Sequence, residues 1–119
     1  MKVPPDGTMS RSQTGDQTVM YAILWEFVPH PGKQRDFEAA YGPGGPWADF
    51  FGGADGFVST ELLRDNDESG PYLTLDRWRS KADYDAFVEA RKAEYEQLDD
   101  EFQALTDREQ LRGSFEILT

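Results

Sequence analysis

Tyr72, Thr74, Asp76 and Trp78 alternate along one short stretch of the chain. Side chains on a β-strand alternate with period two, so these four point the same way. Together they offer a phenol, a hydroxyl, a carboxylate and an indole N–H. Apolar rings interspersed with a few polar groups are what a small-molecule pocket presents. A carboxylate on such a face meets a cation, binds a polar ligand or acts as a general base. Asp76 is thus a candidate base, Trp78 a candidate platform for a flat substrate, and Tyr72 a candidate donor to a substrate oxygen. Each also has a plain structural explanation. Asp76 would pair with Arg77, Arg79, Arg91 or Arg112; Trp78 would be a core or interface ring; Tyr72 would close the strand end.

A partner strand extends the set. Phe57 to Arg64 reads as a strand, and Asp65-Asn66-Asp67-Glu68-Ser69-Gly70 as a polar turn. A regular hairpin about that turn sets Leu63 opposite Tyr72, Glu61 opposite Thr74, Ser59 opposite Asp76 and Phe57 opposite Trp78. Glu61 then becomes a second carboxylate on the polar-aromatic face. Leu62, Thr60 and Val58 join Leu73 and Leu75 on the other, as ordinary core. Arg91 falls within the apolar stripe of the following helix, where it snorkels, pairs, or holds an anionic substrate. The expected substrate-binding set is Trp25, Phe57, Glu61, Thr74 and Arg91.

Composition excludes several classes. Cysteine is absent and there is one histidine, which rules out thiolate chemistry and argues against a His-based zinc or iron site within one chain. His30 lies between two prolines and reads as a solvated loop residue. The net charge of −11 is the wrong sign for nucleic acid or an anionic membrane. No apolar run approaches the roughly 20 residues of a membrane helix, and the N-terminus lacks a signal peptide's apolar core. A cytoplasmic protein is expected.

The elements that must position these residues follow in order. Residues 1–17 read as a disordered lead, or as an arm laid over a partner subunit, and 18–119 as a single domain. Val19–Val28 is a strand with Tyr21, Ile23, Trp25 and Phe27 on one face. A helix runs from Gly32 to Tyr41, and a short one from Pro46 to Phe51, whose Trp47, Phe50 and Phe51 form a lid or core packing. After the hairpin, Ser80 caps a helix with apolar positions from Tyr84 to Leu105 and a kink expected near Leu98-Asp99. Gln110–Leu118 is the last strand, with Leu111, Gly113, Phe115 and Ile117 on one face. This βαββαβ order predicts a ferredoxin-like α+β fold, a four-stranded antiparallel sheet with helices on one face. Trp78, Tyr72, Phe57, Tyr21 and Trp25 are expected on the other face. So many rings need cover, so a homodimer through that sheet face is expected, with the pocket between.

The strand into Pro31-Gly32-Lys33 with Phe37 beyond, Gly56-Phe57 opening the second strand, and Asp76-Arg77-Trp78-Arg79-Ser80 leading to Tyr84 and Phe87 form a pattern. Over Val19 to Leu118 the chain resembles the antibiotic biosynthesis monooxygenase family of the dimeric α+β barrel superfamily. The resemblance implies a pocket between sheet and helices, near the dimer barrel. It implies oxygenation of a reduced aromatic or quinol-like substrate without a cofactor, the deprotonated substrate supplying the electrons. Trp78 matches the family's strand-end tryptophan. Haem-degrading relatives use an Asn-Trp-His set that Asn66 and His30 do not match. Two other functions stay open: a ligand-binding or structural dimer without chemistry, and a non-redox cyclase or isomerase using Asp76 or Glu61 as base.

Overall fold

The computed structural model describes residues 20–118, so the lead 1–17 lies outside the described residues. The order is β1 (Tyr21–Pro29), α1 (Gln34–Tyr41), α2 (Pro46–Phe51), β2 (Phe57–Arg64), β3 (Tyr72–Trp78), α3 (Lys81–Ala90), α4 (Lys92–Phe102), a 3₁₀ turn (Gln103–Leu105) and β4 (Thr106–Glu116). The strands form one antiparallel sheet in the order β2-β3-β1-β4. This is the expected ferredoxin-like α+β architecture.

Local chemistry explains most boundaries. Proline at the first helical position starts α2, where its missing N–H costs nothing. Gly45 just before it has no room for a side chain, since a Cβ would lie 2.3 Å from the Ala39 carbonyl oxygen. That close approach lets α2 fold back onto α1. The Ser80 hydroxyl accepts from the Asp83 backbone N–H at 3.1 Å and caps α3 as expected. Arg79 donates to the Asp83 carboxylate at 2.7 Å and fixes the same turn. The long helix breaks earlier than the expected kink near Leu98-Asp99. Arg91, at φ −120° and ψ 30°, separates α3 from α4. The break lets Tyr84, Phe87 and Val88 of α3 and Tyr95 of α4 all reach the core.

The faces of the sheet are the reverse of those expected. Tyr72, Thr74, Asp76 and Trp78 are buried beneath the helices, beside Tyr21, Ile23, Trp25 and Phe27 of β1. They pack on Phe37, Tyr41, Trp47, Phe51, Tyr84, Phe87 and Tyr95. Leu24, Leu73 and Leu75 are half-buried on the open face, near exposed Leu63 and Phe115. The reason is size. The helices present mainly aromatic rings, and rings on the sheet fill the space between the layers better than leucines would.

The hairpin register also differs. Phe57 pairs with Trp78 as expected, but Ser59 then pairs with Arg77, Thr60 with Asp76, Leu62 with Thr74 and Arg64 with Tyr72. Val58 is the extra residue of a bulge-type irregularity, and side chains alternate, so everything beyond it changes face. Glu61 moves to the open face and Leu62 joins the core. A similar shift in β4 splits its expected single face. Leu111 sits opposite Trp25 and packs on the core, whereas Gly113 and Phe115 sit opposite Leu24 and Ala22. Gly113 takes a φ of 152° just past that shift, a conformation side-chain-bearing residues avoid.

Candidate active site

Asp76 stands in the middle of β3, between Ile23 of β1 and Thr60 of β2, and is 3% exposed. The Thr60 hydroxyl donates to its Oδ1 at 2.8 Å. None of the cations expected for it is there. Arg77 reaches Glu61 on the open face at 3.4 Å, and Arg79 reaches Asp83. Arg91 pairs with Glu94, and Arg112 with Glu26. Asp76 is therefore a buried carboxyl without an ion pair among the described residues. Burial pushes its pKa up from 3.8 to about 7, against the Thr60 hydrogen bond, which favours the charged form. A carboxyl tuned to that range can hold or take a proton near neutral pH.

Polar atoms around it lack partners. Thr74 Oγ1 and Trp78 Nε1 are buried without a hydrogen bond. Buried polar groups in proteins are nearly always paired, so two on the strand that carries Asp76 are unusual. Burial raises the pKa of both Tyr84 and Tyr95, whose phenols interact with each other, and the charge of Asp76 adds a smaller effect. A ligand entering here would find a carboxyl, an indole N–H and two hydroxyls among rings.

Trp78 is fully buried. Its ring packs edge-on to Phe51, Phe57 and Tyr84 at centroid distances of 5.7, 5.3 and 5.2 Å. Phe87 lies 5.6 Å away. Admitting a flat substrate beside Trp78 requires these rings to part. Phe51 belongs to α2, whose Trp47 and Phe51 are both fully buried in the core.

The other expected residues divide. Trp25 is buried opposite Thr74 and stacks on Phe27 at 6.2 Å. Phe57 is half-buried against Trp78. Arg91 holds its guanidinium 5.2 Å from the Phe50 ring and 5.6 Å from the Phe87 ring. It thus sits on the rim of the ring cluster that ends at Trp78. Tyr72 is on the inner face but about 20 Å along the strand from Trp78. Its hydroxyl donates to Glu38 at 2.5 Å, and Arg64 donates to the same carboxylate at 3.1 Å. Those bonds, chiefly the one from Tyr72, hold the Glu38 carboxyl below its usual range. This arrangement ties α1 to the sheet edge. Glu61 is exposed on the open face and does not join the set. Sequence reasoning missed Thr60, because its face depends on Val58, and Tyr84, whose place in the α3 stripe read as ordinary packing.

A shallow concavity of about 190 Å³ between β1 and β4, lined by Glu26, Val28, Arg108, Glu109 and Gln110, involves none of these residues. Among the described residues no group of His, Asp and Glu side chains could hold a metal ion. No helix there is long and apolar enough to cross a membrane.

The family model for antibiotic biosynthesis monooxygenase matches residues 20–108. Among solved structures, the chain is similar to SnoaB, a cofactor-independent oxygenase from Streptomyces nogalater. The TM-score is 0.64 and identity 19%, over 85% of this chain and 95% of that one. A Bordetella bronchiseptica protein named for the same family has a TM-score of 0.64 and 18% identity, over 85% and 99% of the two chains. A Pseudomonas aeruginosa protein has a TM-score of 0.60 and 13% identity, over 88% and 100%. No protein with a curated description matches.

Proposed function

The chain belongs to the antibiotic biosynthesis monooxygenase family, and from that premise we propose that it is a cofactor-independent monooxygenase of a small hydroxylated aromatic or quinol-like compound. The observation that carries the proposal is Asp76: buried, without a cation among the described residues, held by Thr60, and flanked by the unpartnered Thr74 and Trp78. The structural likeness to an oxygenase described as cofactor-independent supports it.

The chemistry needs little from the protein. Asp76 takes a hydroxyl proton from the reduced aromatic, leaving an electron-rich anion. The Trp78 N–H stabilises the negative oxygen. Dioxygen adds at a ring carbon bearing hydrogen and forms a hydroperoxide. Loss of water leaves a carbonyl there. One oxygen atom enters the product and the other leaves as water, and the substrate supplies the electrons. The surrounding rings exclude bulk water. A partner subunit covers the open face, where Leu63 and Phe115 are exposed. The homodimer thus uses the leucine-bearing side of the sheet, not the ring-bearing side.

Oxygen uptake by metal- and flavin-free protein, offered a panel of dihydroxynaphthalenes and hydroxylated anthracenones, tests this. Wild-type protein should consume oxygen with at least one substrate, and Asp76→Asn should slow it by about 10²–10⁴. Undiminished uptake by Asp76→Asn would remove Asp76 from the mechanism. The close ring packing around Trp78 favours a second reading, a ligand-binding or structural dimer without chemistry. That reading predicts no uptake with any of the panel.

A further inference from the structure

We propose that Thr60 is a positioning residue for Asp76, and that the irregular register at the start of β2 serves to deliver it. The inference rests on the proposed role of Asp76, but it concerns an atom pair that can be tested separately.

The geometry begins with an alternation problem. Phe57 must face inward, since it packs on Phe51 and Trp78 at 5.7 and 5.3 Å. In a regular strand Ser59 would then face inward and Thr60 outward. The extra residue Val58, half-exposed, changes this. Val58 and Ser59 occupy the span opposite Arg77, and Thr60 comes inward opposite Asp76. Bulges commonly re-aim a side chain in this way. The same shift turns Glu61 outward, away from Asp76, so β2 brings no carboxylate beside it. A like charge there would have interfered with the titration of Asp76.

The Thr60 hydroxyl has one proton, which it gives to Asp76 Oδ1 at 2.8 Å. Oδ1 is thereby fixed, the carboxyl plane is set, and Oδ2 makes no side-chain hydrogen bond among the described residues. The surroundings contain little else that could orient it. β1 contributes Ile23. α3 and α4 contribute the phenols of Tyr84 and Tyr95, which feel its charge. α2 contributes the rings of Trp47 and Phe51 to the same core. Arg77 on its own strand faces away and pairs with Glu61. Thr60 is the hydrogen bond that favours the ionised carboxylate. Its function is to keep that carboxyl ionisable near neutral pH while leaving the other oxygen for a substrate hydroxyl.

The test is a titration of the Asp76 carboxyl by carbon-13 NMR, assigned with Asp76→Asn, in wild type, Thr60→Val and Thr60→Ser. Valine keeps the branched shape and suits a strand, so folding should be preserved. Thr60→Ala is the second variant should valine disturb the edge. Loss of the hydrogen bond should raise the Asp76 pKa by about one unit, and serine should restore it. The acid limb of kcat/KM for oxygen uptake should move upward with it, lowering the rate at pH 6 about tenfold. A purely structural Thr60 would lower stability and leave both the titration and the limb in place. A wild-type titration in Thr60→Val and Thr60→Ala, or an equal rise in Thr60→Ser, overturns the proposal. If Asp76→Asn turns over normally while Thr60→Val still shifts the titration, the base assignment fails and the positioning role stands.

Discussion

Replacing Asp76 by asparagine should stabilise the protein at pH 8 by on the order of 4 kcal/mol, and by almost nothing near pH 4. The sign follows from the direction of the shift. The carboxyl titrates near 3.8 in an unfolded chain and near 7 in the folded one, where burial disfavours its charge. Between these values the unfolded chain has lost the proton and the folded chain keeps it. Stability therefore falls as pH rises through that window, and the loss is complete above the folded value. Glu38 and Asp83 are shifted the other way by their hydrogen bonds from Tyr72 and Arg79, so their contributions disappear only at more acidic pH. Asparagine keeps the shape and can still accept from Thr60. Urea unfolding of wild type and Asp76→Asn at pH 5, 6, 7 and 8 checks the expectation. Equal wild-type stability at pH 5 and pH 8 would contradict it. A residue that costs stability at working pH and makes no ion pair is the kind retained for function.

Trp78→Ala should cost about 3–5 kcal/mol, a large share of the roughly 5–15 kcal/mol that holds a domain together. The ring is fully buried against Phe51, Phe57, Tyr84 and Phe87, so truncation leaves a cavity that four other rings cannot close. Lost activity in that variant would report unfolding as readily as catalysis. Trp78→Phe separates the two. It keeps most of the packing and removes Nε1, which is buried and without a partner. The phenylalanine variant should melt as a cooperative unit and lose about 10²–10³ in oxygen uptake, as expected for one donor to a developing anion. Wild-type uptake in Trp78→Phe would reduce Trp78 to a packing ring.

Elements whose signals are local were legible in the sequence. Phe57–Arg64 and Pro46–Phe51 have the expected limits, and Ser80 caps its helix as read. Proline, glycine and capping residues act within a turn, so composition alone reveals them. The faces were not legible. Both sides of β3 alternate cleanly, and alternation does not say which side the helices cover. That depends on how Trp47, Phe51, Phe87 and Tyr95 fill the layer, a property of the whole fold. Register was lost at one residue: Val58 inserts an irregularity that reverses Thr60, Glu61 and Leu62. The candidate site suffered accordingly. Asp76, Trp78, Thr74, Trp25 and Phe57 share one face as read, though it is the one the helices cover; Arg91 lies at its rim, and Glu61 is on the opposite side. Tyr72 is on the same face but donates its hydroxyl proton to Glu38.

The claim that Asp76 receives the substrate's proton is tested most directly without oxygen. A dihydroxynaphthalene whose anion absorbs at longer wavelength than its neutral form would be mixed with the protein under argon at pH 8. Wild type should bind it and show the anion band, and admitting oxygen should discharge that band with one oxygen molecule consumed per substrate. Asp76→Asn should bind the compound in its neutral form and show no band. An equal anion band in Asp76→Asn, or bound substrate that stays neutral in the wild type, would contradict the account.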